Sequence, residues 1–120
     1  MAGELSFFEI GVGDVQRART FYSELFGWEL EDYGGGVQIA TPNIPGGIHG
    51  GDEGASPYVF FAVDDLDAAV AKVRELGGSA EHVGEDESEE IVARFGRFML
   101  CTDDQGSSFG IHEPPGRADA

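Results

Sequence analysis

Positive charge is scarce in this chain, cysteine occurs once, and no apolar run is long. Seven Lys and Arg stand against 23 Asp and Glu, for a formal net charge of −16 over 120 residues. Nucleic-acid binding rests largely on neutralising phosphates with Lys and Arg, so no nucleic-acid partner is expected. The single cysteine, Cys101, excludes an internal disulfide and fits a reducing cytoplasm. We expect it to be a buried small residue on an interior strand rather than a reactive thiol. Nothing approaches the roughly 18 apolar residues of a membrane span. Met-Ala-Gly-Glu leads into the first strand without a basic-then-apolar leader, so neither a membrane segment nor a signal peptide is expected. Gly11-Val12-Gly13 lacks the third glycine of a dinucleotide fingerprint, because position 16 is Gln16. Ser107 and Ser108 follow a turn with no activating base pattern, which leaves serine hydrolysis unsupported.

What the chain does have is a repeat. Phe7 to Val15 lines up with Tyr58 to Leu66, and Gly46-Gly47-Ile48-His49 recurs as Phe109-Gly110-Ile111-His112. Each copy begins with a strand pattern, Leu5 to Val12 and Tyr58 to Val63, followed by an Asp N-cap: Asp14, and Asp64 or Asp65. The helices then show apolar stripes, Val15, Ala18, Phe21, Tyr22, Leu25 and Phe26 in the first, Leu66, Ala69, Val70, Val73 and Leu76 in the second. Gly27 and Gly77-Gly78 stop them. Hairpin-linked strands follow: Trp28 to Tyr33, Val37 to Thr41 and Gly46 to Gly50, then Ser79 to Val83, Ile91 to Thr102 with a bend at Gly96, and Ser107 to Glu113. The acidic run Glu85 to Glu90 reads as a solvated hairpin loop, Gly51 to Pro57 as a linker, and Pro114 to Ala120 as a frayed tail. His82 falls on an edge strand and is read as surface.

This order predicts an α+β fold: a single domain over 1–120 built from two tandem βαβββ modules, 5–50 and 57–113. Strand one and strand four of each module should run parallel. We expect the two half-sheets to form one curved, cup-like sheet, related by a pseudo-two-fold, with the helices on the convex side and a ligand in the cleft.

Val12 to Ala18 with Phe21-Tyr22 and Leu25-Phe26-Gly27-Trp28, Val63 to Ala69 with Glu75 to Gly78, and Asp103-Asp104-Gln105-Gly106 before Phe109-Gly110-Ile111 span nearly the whole chain. As a set they resemble the vicinal oxygen chelate superfamily, which holds glyoxalase I, the bleomycin-resistance proteins and the extradiol dioxygenases. The resemblance implies that a metal enzyme of this type would draw His, Glu or Gln ligands from the first and last strand of each module. Here those positions are Phe7, Gly47, Tyr58 and Gly110. Phenylalanine and glycine side chains offer no ligand and tyrosine alone cannot hold a labile divalent ion, so no metal and no cofactor are expected.

Two residues along each strand, on the same face, stand Glu9, His49, Phe60 and His112. Glu9 and His49 should neighbour one another on parallel strands. They are the candidate catalytic pair, Glu9 as general base, and a displaced metal site at Glu9, His49 and His112 is the alternative. Phe7, Glu9, His49, Tyr58, Phe60 and His112 are the candidate ligand-binding residues, facing an aromatic pocket suited to a planar or amphipathic molecule. Three functions compete. The leading one is a metal-free, glyoxalase/bleomycin-resistance-like binder of a small molecule, for which the charge tolerates a cationic or a neutral ligand. The others are a lyase, isomerase or dioxygenase of the same superfamily, and a partner protein whose cup is filled by its own aromatics. The reading allows a homodimer and places the protein in the cytoplasm.

Overall fold

The computed structural model describes residues 3–82 and 89–116, with His82 described by its backbone alone. Much of the acidic run, Val83, and the last four residues lie outside the described residues. The chain forms two compact units, residues 7–59 and residues 1–6 with 60–120. The fold is α+β, and each unit follows the repeated plan.

In the unit 7–59, strands β1 (Leu5–Gly11), β2 (Glu29–Tyr33), β3 (Gly36–Ala40) and β4 (Gly46–His49) lie in the order β2-β3-β4-β1. β1 runs parallel to β4, as expected, and β2 and β3 pair antiparallel. Helix α1 (Val15–Phe26) begins where Asp14 accepts from the Arg17 N–H at 3.1 Å and stops at Gly27, whose φ of 71° suits glycine. Its Ala18, helped by the half-buried Val15 and Tyr22, packs on Val37, Ile39 and Ile48. The rest of the expected stripe does not. Phe21, Leu25 and Phe26 stay more than half exposed, because one helix crossing a short sheet has a contact face narrower than its apolar stripe.

In the second unit, β5 (Tyr58–Ala62, its first two residues belonging to the unit 7–59), β6 (Ser79–His82), β7 (Arg97–Thr102) and β8 (Ser108–Glu113) lie in the order β5-β8-β7-β6, with β5 parallel to β8. Helix α2 (Leu66–Glu75) is capped by Asp65, and the Glu113 side chain accepts from the Leu66 N–H at 2.8 Å. Leu66 and Val70 pack on Met99, Cys101 and Ile111. Cys101 is buried as expected, and burial pushes its thiol pKa up. The unit also recruits the start of the chain: Ala62 donates to the Glu4 carbonyl at 2.7 Å, and Gly3 donates to the Ala62 carbonyl at 2.8 Å.

One expected strand is corrected. Residues Glu89–Phe95 form a helix, α3, and only Arg97–Thr102 is strand. The β-branched Ile91-Val92 pair suggested extension. Glu89 and Glu90 in the first turn and Arg94 in the last instead complement a helix dipole, and Gly96 ends the helix at φ 90°. Gly96 is thus a helix stop rather than a strand bend.

Candidate functional site

Strand alternation sorts the first unit's side chains onto two faces. Phe8, Ile10, Val37, Ile39 and Ile48 go to the helix side. Glu9, Gly47 and His49 go to the other, in a register that sets Glu9 opposite Gly47 and Gly11 opposite His49. A Cβ on Gly47 would collide with the Glu9 carboxylate, so the missing side chain gives that carboxylate its place. His49 Nδ1 donates to Glu9 Oε1 at 2.7 Å, and His49 Nε2 donates to Asp52 Oδ2 at 2.9 Å. Tyr58 donates its hydroxyl to the same Asp52 oxygen at 2.8 Å, and the Tyr58 ring lies 5.8 Å from the imidazole.

An imidazole with a carboxylate on each nitrogen needs both protons. The His49 pKa accordingly rises from 6.5 to about 9. The bond to Glu9 is the largest cause, partial burial opposes it, and the Asp52 bond and both carboxylate charges add to it. Asp52 is held below its ordinary pKa by the bond from His49 and then by that from Tyr58. Tyr58 is pushed up, first by its bond to Asp52. The cluster stays open to water, the His49, Asp52 and Glu9 side chains being 40, 32 and 25% exposed.

The matched positions of the other unit are built from apolar parts. Phe60 takes the place of Glu9, and its ring covers Gly110 where the carboxylate covers Gly47. His112 is 3% exposed and stacks on Phe98 at 4.3 Å, while Phe98 meets Phe60 edge-on at 5.1 Å. His112 Nε2 donates to the Phe95 carbonyl at 2.7 Å, satisfying the end of α3, and Nδ1 accepts from Ser6 Oγ at 2.8 Å. That is the neutral tautomer, and burial is the main cause of a pKa below the ordinary value. One Gly-Ile-His motif therefore yields an imidazolium in the first unit and a buried neutral imidazole in the second.

Of the sequence-named residues, Glu9, His49 and Tyr58 meet within one unit. Phe7 belongs to that unit and is 4% exposed. Phe60 and His112 belong to the other, buried in the stack just described. Asp52 was missed. It sits in the linker three residues after His49, and only the folded turn, with Asp52 N–H donating to the Val12 carbonyl at 3.0 Å, brings its carboxylate to His49 Nε2. The positions that would carry metal ligands do not fit a divalent ion. The space beside Gly47 is filled by the Glu9 carboxylate, that beside Gly110 by the Phe60 ring, and Tyr58 spends its hydroxyl proton on Asp52. Both ring nitrogens of His49 are protonated and engaged. Among the described residues no group of three or more His, Cys, Asp or Glu is arranged to hold a metal ion.

Comparison with known proteins agrees with the fold. A Mycobacterium tuberculosis protein provisionally named a glyoxylase, CFP32, is 33% identical over 122 residues, covering 91% of this chain and 45% of its own length. The Streptomyces peucetius anthracycline biosynthesis protein DnrV is 28% identical over 132 residues, covering 91% of this chain and 46% of its own. The chain thus spans about half the length of these curated relatives. Among solved structures, methylmalonyl-CoA epimerase from M. tuberculosis superposes with a TM-score of 0.64 at 20% identity, over 98% of this chain and 92% of the other. An extradiol ring-cleaving dioxygenase from B. fuscum gives 0.64 at 16% identity, over 95% of this chain and 34% of the other. These structural likenesses concern the fold. The profile of the Glyoxalase/Bleomycin resistance protein/Dioxygenase superfamily matches residues 4–111, and the chain belongs to that superfamily.

Proposed function

We propose that this domain binds a small organic molecule at the Glu9–His49–Asp52–Tyr58 cluster, without a metal ion. The carrying observation is the difference between the two units. Where one buries an apolar stack, the other keeps a charged, hydrogen-bonded cluster with two-fifths of its imidazole side chain in water. Core packing does not need such a group, and a ligand does. The ligand-facing set narrows to Glu9, His49, Asp52 and Tyr58, because Phe60 and His112 are spent on the stack and Phe7 is 4% exposed.

Acid–base catalysis by Glu9 and His49, as in a lyase or isomerase, is favoured by one observation, their 2.7 Å contact. General acid–base groups work best with a pKa near the operating pH. At about 9, His49 keeps its proton at neutrality and serves as a cationic hydrogen-bond donor, which favours binding over proton exchange. The names of the relatives and of the similar structures, among them glyoxylase, anthracycline biosynthesis, epimerase and dioxygenase, do not select a substrate.

A thermal-shift screen of cationic antibiotics, 2-oxoaldehydes and common metabolites should yield ligands. Protein purified without added ions should carry well under one transition metal per chain; stoichiometric zinc, nickel or iron that His49→Gln removes would replace this reading with a metal enzyme. Glu9→Gln should preserve folding and weaken the best ligand roughly tenfold or more, about 1.4 kcal/mol. Glu31→Gln, on the exposed side of β2, should change affinity little. Equal effects at the two positions would remove Glu9 from the site. The reading keeps the protein in the cytoplasm and includes a homodimer, which sedimentation velocity showing a single one-chain species would exclude.

A further inference from the structure

Two donors of the cluster converge on one oxygen. His49 Nε2–H and Tyr58 O–H both reach Asp52 Oδ2, at 2.9 and 2.8 Å. One cationic and one neutral donor aimed at a single point is the arrangement that holds a bound carboxylate, and here the carboxylate comes from the chain itself. Asp52 is anchored by its backbone, through its N–H to the Val12 carbonyl at 3.0 Å and its carbonyl to the Ala55 N–H at 3.3 Å. Only the side chain has to turn away to free the donors, and about a third of it already meets water. The place it would vacate is bounded by Gly11, where a Cβ would run into the Asp52 carboxylate. Glu9 meanwhile holds the ring through Nδ1, so the Nε2–H keeps its aim without Asp52.

We propose that the Asp52 side chain is an internal stand-in for a ligand, and that the His49–Tyr58 pair is a receptor for the carboxylate of a small organic acid, which binds by displacing it. This rests on the small-molecule reading above and names its ligand class. With Asp52 turned out, the remaining His49 imidazolium and Glu9 carboxylate balance one another. An incoming carboxylate then restores the charge pattern already present. The net charge of −16 belongs to the whole surface and acts at long range, whereas these two donors act at contact distance.

Acetate is the probe, titrated into the full chain at constant ionic strength, with melting temperature and the His49 ring NMR signals as readouts. A tethered carboxylate competes at an effective concentration of millimolar or more. Asp52→Ala should therefore bind acetate at least tenfold more tightly than the unaltered chain, and acetate should restore melting temperature lost in the variant. Asp52→Asn, whose amide oxygen still fills the place but carries no charge, should bind acetate less tightly than Asp52→Ala and no less tightly than the unaltered chain. Adding Tyr58→Phe or His49→Gln to Asp52→Ala should abolish the response. If Asp52→Ala does not fold, Asp52→Ser takes its place in every arm. A folded variant with no acetate response, or a response that survives His49→Gln, overturns the proposal. Screened ligands that depend on Glu9 and His49 yet bind Asp52→Ala no better than the unaltered chain would overturn it while leaving the small-molecule reading intact. Loss of both kinds of binding would end both.

Discussion

Raising the pH from 6.5 to about 9 is expected to remove about 1–2 kcal/mol from the stability of the unaltered chain and far less from His49→Gln. The folded pKa of His49 lies above its unfolded value, so the folded state holds this proton more tightly. That contribution is complete below 6.5, where both states are protonated, and is lost as the pH climbs through about 9. A displacement of this size is worth about 3 kcal/mol for a group shielded from water. The His49 side chain is 40% exposed, and screening cuts the expectation to the smaller range. Cys101, its thiol pushed up by burial, begins to oppose folding at the alkaline end of the same window. Both chains carry it, so their difference isolates His49. On the acid side the matched His112 has the opposite sign. Its folded pKa lies below 6.5, so its contribution is complete above 6.5 and is lost as the pH falls from there through the lower folded value. Denaturant melts across this range should show a stability maximum near neutrality, with a much shallower alkaline limb in His49→Gln. Parallel alkaline limbs in the two chains would mean that His49 is not the imidazolium that the geometry requires.

The contrast between the two histidines also marks how far the sequence could be read. Strand, cap and stop signals are local, and Asp14, Gly27 and Asp65 do what their residue types dictate. The Glu9–His49 pair was legible because a parallel β1–β4 pairing follows from the order of elements. Residues 91–95 were misread because β-branching outweighed the acidic start and glycine stop that make α3. Asp52 was out of reach, since its role depends on where a linker turn lands in space. His112 was out of reach too. Its motif copies that of His49, and its neutrality comes from Phe60, Phe98 and the end of α3, none of which the motif contains.

Gly110→Ala and Gly47→Ala, one methyl group at matched positions, are expected to fail in different ways. At Gly110 the new Cβ would enter the Phe60 ring, which is 1% exposed and pinned by Phe98. A buried ring has no free direction, so the clash must be absorbed by the core, at a cost of about 3 kcal/mol. For a chain of this length that is a fall of roughly 10 °C or more in melting temperature. At Gly47 the new Cβ meets Glu9 Oε2, the far end of a flexible side chain that is already 25% exposed. The carboxylate can swing into water, so stability should change by no more than about 1 kcal/mol. What it gives up is the 2.7 Å bond to His49 Nδ1, the largest support of the raised pKa. The His49 titration followed by NMR should then fall back toward 6.5, and the best ligand should weaken roughly tenfold or more. A Gly47→Ala variant as unstable as Gly110→Ala would mean that Glu9 is locked in the fold like Phe60. Retained affinity with a His49 pKa still near 9 would mean that the carboxylate found another way to the ring. A large stability loss at Gly110, set against a titration and binding loss at Gly47, fits one repeated backbone whose matched positions hold an apolar stack in one unit and the charged cluster in the other.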